Sequence, residues 1–141
     1  MSGGAASGAA PAPASASASD PLALVPDVVL FAGTAKYVLL TVRDPASGRE
    51  KRVVRSADRE FHKGVKQETE RELRRDSRTL PLVVHCPGGG RIAHEPAARR
   101  VRVYGYSNAY GVGDHAFACE LIRRAFPDYR AEDVTWTNDG Y

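Results

Sequence analysis

Along residues 36–43 the chain alternates with a period of two. Lys36, Val38, Leu40 and Val42 fall on one face; Tyr37, Leu39, Thr41 and Arg43 fall on the other. That spacing predicts a strand. Asp44, Pro45 and Gly48 give the next segment turn chemistry, because proline presets φ and glycine accepts positive φ. Residues 50–55 are then predicted to return as the hairpin partner. Upstream, order is expected from about Pro21. Leu22, Leu24 and Val25 form a short apolar run closed by Pro26, residues 27–30 a short strand, and Gly33 a turn.

The period then changes. Phe61, Val65, Thr69 and Leu73 recur every four residues, which predicts a helix over 58–75 with one narrow buried stripe, capped by Ser56 or Asp58. Residues 80–86 are apolar at both alternating positions, the pattern of a central strand covered on both sides. Pro87 and the three glycines 88–90 are expected to break it. Residues 91–95 and 99–106 read as two more strands, and 107–113 as a glycine-containing loop. Asp114 caps a second helix whose inward residues are Ala118, Cys119, Ile122, Ala125 and Phe126, with Pro127 just past its end. Residues 133–137 form the last strand. The order predicts an α/β fold of the α+β type: a mixed, largely antiparallel sheet covered by two helices.

Length and charge narrow the picture. The 141 residues suffice for one domain. Residues 1–19 are Ala, Ser, Gly and Pro after the initial Met, with no charge, so they are expected to form a disordered tail ahead of a domain spanning 20–141. A net charge of +3 suits an acidic or phosphate-bearing partner without calling for nucleic acid. The arginines between 71 and 78 are interrupted by Glu72, Leu73, Asp76 and Ser77, as on a solvated helix face. No apolar run approaches membrane-spanning length, and the first residues lack a secretory pattern. With only Cys86 and Cys119, no disulfide framework is expected. A cytoplasmic, monomeric protein is the expectation.

Candidate chemistry is sparse. His62 lies early in the first helix, where the dipole disfavours a positive ring, so it is expected to be neutral near pH 7 and able to act as base or nucleophile. A surface histidine beside Lys63 is the plainer reading. His85 and Cys86 should point to opposite faces of a strand, and neither His94 nor His115 completes a zinc-like spacing, so no metal is expected. The run His-Cys-Pro-Gly-Gly-Gly-Arg at 85–91 has four residues between cysteine and arginine, one short of the cysteine-dependent phosphatase loop, whose length sets how its N–H groups surround an anion. Cys86 is instead expected to pack as a small hydrophobe. Three features point to an anion: the loop 107–113 leading to a helix start, Lys36 at the rim of an apolar face, and Arg91 after the glycines.

Several segments, taken together and in order, resemble one family. They are Leu-Ala-Leu-Val-Pro-Asp at 22–27, Lys-Tyr-Val-Leu at 36–39, Glu-Phe-His at 60–62, Cys-Pro-Gly-Gly-Gly-Arg-Ile at 86–92, Val-Tyr-Gly-Tyr-Ser-Asn-Ala-Tyr-Gly at 103–111 and Val-Thr-Trp-Thr-Asn-Asp-Gly-Tyr at 134–141. On these landmarks the chain is similar to the phosphohistidine phosphatases of the Janus/Ocnus family over nearly the whole body. The resemblance implies a six-stranded sheet flanked by two helices and hydrolysis of phosphohistidine in proteins, without metal or other cofactor. His62 matches the family's essential histidine and Lys36 its phosphate-contacting lysine. Ser107, Asn108 and Ala109 match the segment that holds phosphate through backbone N–H groups, and Arg91 follows the triple glycine. The stretch between Arg55 and His62 is one residue shorter than the family pattern, so no role passes to Arg55.

Two rivals stand beside this reading. One is a non-catalytic module that binds phosphohistidine or phospholysine. The other is a nucleic-acid platform of Arg102, Tyr104 and Tyr106 on one strand face, for which +3 gives little electrostatic support.

Overall fold

The computed structural model describes residues 20–140; the tail expected over 1–19 and the final Tyr141 lie outside the described residues. In chain order the elements are β1 (Val28–Val29), β2 (Gly33–Arg43), β3 (Glu50–Ala57), α1 (His62–Arg74), β4 (Val83–Glu95), β5 (Arg100–Tyr104), α2 (His115–Ala125) and β6 (Val134–Trp136). The six strands form one sheet in the order β1-β3-β2-β4-β5-β6. The β3–β2–β4–β5 pairings are antiparallel, while β1 and β6 join the edges in parallel. The expected mixed six-stranded sheet with two helices is therefore the observed fold.

Strand alternation sorts the apolar residues into two half-cores. Val38, Leu40 and Val42 pack with Val65 and Leu73 of α1 on one face. Tyr37 and Leu39 pack with Ala118, Cys119 and Ile122 of α2 on the other. Each helix covers the residues its own periodicity presents, which is why a two-residue repeat in β2 supports two separate cores. Asp114 caps α2, its carboxylate accepting from the Phe117 N–H at 3.1 Å.

The structure corrects four local expectations. Pro87 and the glycines do not end a strand: β4 runs straight through them. Leu39 lies opposite Gly88 but Thr41 opposite His85, so β4 carries one extra residue here. This bulge accommodates a proline that has no N–H for the ladder. The glycines answer to neighbours rather than to a turn. A Cβ on Gly88, Gly89 or Gly90 would lie 2.4, 2.3 and 2.3 Å from the carbonyl oxygens of Val112, Tyr37 and Tyr104, respectively. Nor is the first half of β4 covered on both sides. Val83 is exposed, Leu80 and Pro81 precede the strand, and β5 pairs only with residues 91–95, so this half of β4 has no β5 neighbour on its edge.

The start of α1 also shifts. Neither Ser56 nor Asp58 caps it. Ser56 sits in β3, its hydroxyl accepting from the Phe31 N–H at 2.8 Å. Phe61 holds the N-cap position with extended backbone and no side-chain cap bond. The buried stripe is His62, Val65, Thr69 and Leu73, spacings of three, four and four that track 3.6 residues per turn better than a strict four. Phe61 is thereby turned outward. Lastly, the strand expected over 99–106 is shorter: β5 stops at Tyr104, Gly105 adopts φ +77°, and Tyr106 lies outside the strand that carries Arg102 and Tyr104.

Candidate active site

The N-terminus of α1 sets His62 against the sheet, with 5% of its surface exposed. Its Nε2 lies 2.8 Å from the carbonyl oxygen of Gly90 in β4. A carbonyl only accepts, so Nε2 carries the proton and donates, and Nδ1 is left with its lone pair in the neutral ring. Burial holds the His62 pKa below its ordinary value of 6.5. The carbonyl bond opposes this, and the nearby charges of Lys36 and Arg91 add to the lowering.

Lys36 and Arg91 are cross-strand partners in the β2–β4 ladder. Lys36 is half-buried and lies on the same face as α1, at the end of the row Val38–Leu40–Val42. A cavity of about 630 Å³ opens above it, lined by Lys36, Phe61, His62, Gly64, Asn108 and Ala109, with Arg59, Glu60, Lys63 and Gln67 completing the wall.

The loop after β5 closes the other side. Ser107 and Gly111 bond each other, N–H to carbonyl, at 3.0 and 2.8 Å, and the Ser107 hydroxyl accepts from the Tyr110 N–H at 3.1 Å. The tight loop leaves Asn108 and Ala109 exposed at its tip while Ser107 is buried. It is then stitched to β4: the Gly89 N–H donates to Gly111 O at 3.1 Å and the Gly113 N–H to Gly89 O at 2.9 Å. Gly89 thus fixes the loop, and its neighbour Gly90 fixes the His62 ring.

Of the residues anticipated from sequence, His62, Lys36, Asn108 and Ala109 come together around the cavity. Ser107 does not line it, and its N–H is committed to Gly111, so it shapes the loop. Arg91 lies outside the lining and acts on His62 through its charge. The Gly90 carbonyl and the Phe61 ring were not anticipated. The first was hidden because three glycines read as a break, the second because a four-residue repeat placed Phe61 in the core.

The other candidates have structural occupations. Cys86 is buried, its Sγ lies 3.4 Å from Gly88 O, and burial pushes the thiol up to about 11, so it packs as a hydrophobe. Buried Arg55 forms an ion pair with Glu72 at 3.2 Å. His94 bonds the Tyr129 hydroxyl at 2.8 Å. His115, at the start of α2, mirrors His62 across the sheet: its Nε2 lies 2.8 Å from Gly105 O and its Nδ1 2.5 Å from the Tyr37 hydroxyl. Burial keeps its pKa low and Tyr37 protonated, so Tyr37 donates to Nδ1 and the ring donates to Gly105. Among the described residues no group of three His, Cys, Asp or Glu side chains could hold a metal ion.

Comparison with known proteins identifies the family. The Janus/Ocnus family (Ocnus) model matches residues 22–130. The 14 kDa phosphohistidine phosphatase of Homo sapiens is 39% identical over 127 residues, covering 85% of this chain and 96% of its own length. The protein of the same name from Sus scrofa is 35% identical, covering 85% and 95%. The sex-regulated protein janus-A of Drosophila melanogaster is 37% identical over 101 residues, 71% of each chain. A family match over residues 22–130, joined by human and pig relatives aligned over nearly all of their own length, establishes that the chain belongs to the Janus/Ocnus family.

Proposed function

We propose that this protein is a phosphohistidine phosphatase that hydrolyses the N–P bond of phosphohistidine in proteins, acting as a cytoplasmic monomer and without a metal ion. The observation that carries the reading is the His62 ring, fixed by the Gly90 carbonyl at the floor of a cationic cavity. The human and pig relatives bear the name of that activity.

A phosphoryl group carries nearly two negative charges near neutral pH, and its transfer is catalysed chiefly by positioning and charge stabilisation. Lys36, Asn108 and Ala109 line the cavity with His62, and in this reading Lys36 and the loop backbone at Asn108 and Ala109 take the phosphoryl oxygens. Nδ1 then either removes a proton from the attacking water or attacks phosphorus itself. In the first route water oxygen bonds phosphorus, the N–P bond breaks, and the substrate imidazole nitrogen takes up a proton. In the second, the phosphoryl group passes to Nδ1 as the substrate N–P bond breaks and the substrate imidazole nitrogen takes up a proton, and water then cleaves the bond to Nδ1 to release phosphate. Both require the neutral ring that burial favours. A phosphoenzyme trapped on His62 identifies the second route.

The test is phosphate release from a histidine-phosphorylated protein, with EDTA present, by the native chain and by His62→Ala. Release by the native chain, with a loss of about 10²–10⁴-fold in a folded His62→Ala variant, is the expected result. Native-like turnover by the variant removes His62 from the chemistry. Suppression by EDTA removes metal independence. Phosphate-dependent binding with no turnover establishes the non-catalytic reader instead.

A further inference from the structure

Phe61 breaks two local rules at once. It occupies the N-cap of α1, where Ser, Thr, Asp or Asn would satisfy an open N–H, and it makes no side-chain cap bond. Phe61 is also 65% exposed, the most exposed large hydrophobic residue among the described residues. Violations of local rules concentrate where a surface meets a ligand. Phe61, next in sequence to His62, lines the cavity together with Lys36 and Ala109. The cavity, at about 630 Å³, belongs to the size class that encloses a ligand much larger than phosphate. The groups that the phosphatase reading assigns to phosphate come from β2 (Lys36) and the loop (Asn108 and Ala109), so the α1 side of the cavity, with Phe61, is left for the leaving group.

We infer that Phe61 is a specificity-determining residue that packs its ring against the planar imidazole of the phosphohistidine leaving group. The inference rests on the phosphatase reading and adds a source of preference for a ring-bearing N–P substrate. A flat aromatic leaving group gains offset or edge contact with a phenyl ring, beyond simple burial. Phosphoramidate, the same N–P bond on a bare amino group, has no ring to pack.

The measurement is the ratio of kcat/KM for a phosphohistidine peptide to that for phosphoramidate, in the native chain, Phe61→Ala, Phe61→Leu and Phe61→Trp. The ratio should fall about tenfold in Phe61→Ala, mainly through KM for the peptide. Phe61→Leu should recover only part of it and Phe61→Trp most of it. An unchanged ratio in Phe61→Ala overturns the inference, including the case where both substrates lose equally. A parallel arm measures affinity for a peptide carrying a phosphoryl-triazole in place of phosphohistidine. If the native chain turns over neither substrate, the phosphatase reading fails. The Phe61 contact then stands on a tenfold weaker affinity in Phe61→Ala and falls on an unchanged one.

Discussion

Gly89→Ala should cripple the site while leaving the chain folded. Gly89 sits between β2 and the loop of residues 107–113. Its missing Cβ would lie 2.3 Å from the Tyr37 carbonyl oxygen and 3.2 Å from His62 Cδ2. Ordinary contact needs roughly 1 Å more room against that oxygen, and the obstacle is backbone, so β2 and β4 must part by about that distance. Overpacking of this kind costs about 1–3 kcal/mol. Removing glycine from the unfolded chain returns about 0.4–1 kcal/mol, and no positive φ is at stake at this residue. The steric effect wins, for a net loss of about 1–2 kcal/mol. At roughly 2 cal/mol/K per residue, a domain of this size should lose about 4–8 °C in Tm. Stability of ordinary size survives that loss, so the variant stays folded at 25 °C. Activity is more sensitive. The parting strands carry the Gly90 carbonyl that orients His62 and the two Gly89 bonds that hold the loop. A displacement of about 1 Å in such groups is worth on the order of 10² in rate. Thermal unfolding and phosphate release from phosphohistidine are measured together, with Gly48→Ala as control. Gly48 has φ +74° in the β2–β3 turn, where a Cβ would meet only the end of the Arg43 side chain at 4.0 Å, and it does not line the cavity, so alanine there should cost about 1 kcal/mol and spare turnover. Native turnover and native Tm in Gly89→Ala would refute the close-approach argument. Native turnover with a lowered Tm would detach the glycines from catalysis.

Other expectations are simpler. Acidification should extinguish kcat/KM as His62 protonates, with the limb below its ordinary pKa of 6.5, and a limb above 6.5 would contradict the desolvated ring. Stability should decline over the same range. His62, His94 and His115 all have lowered pKa values when folded, so below about 6.5 the unfolded chain binds more protons and Tm drops until the native rings protonate too. A Tm that rises between pH 7 and 5 would reverse the sign. Lys36→Ala should weaken inhibition by inorganic phosphate about tenfold or more, the worth of one charge-assisted hydrogen bond, and unaltered inhibition would place Lys36 outside the anion site. Cys86 should resist alkylation at pH 8, since burial raises its thiol to about 11, and rapid inactivation by iodoacetamide would contradict that packing.

Much of this was legible in local pattern. The two-residue alternation of β2 presents one row to each helix, and the Asp114 cap fixes the start of α2; both are short-range rules acting between near neighbours. His62 and Lys36 were legible as types in context: a histidine in a first helical turn and a cation ending an apolar row. The motif landmarks of the family carried the rest, since residues 60–62, 86–92 and 103–111 lie far apart in sequence and nothing local unites them.

Only tertiary contact decided what those segments do. Three glycines after a proline have the composition of a break, yet they run as the middle of β4 because the backbones of Tyr37, Tyr104 and Val112 press on them from three sides. Phe61 satisfies a repeat of four as well as His62 satisfies one of 3.6, and packing against the sheet chose the histidine. Ser107 shares a segment with Asn108 and Ala109, but a hydrogen bond to Gly111 turned its N–H inward and left the other two residues at the cavity. In each case the deciding neighbour comes from another part of the fold, and a pattern confined to one segment holds no information about what another strand, helix or turn will press against it.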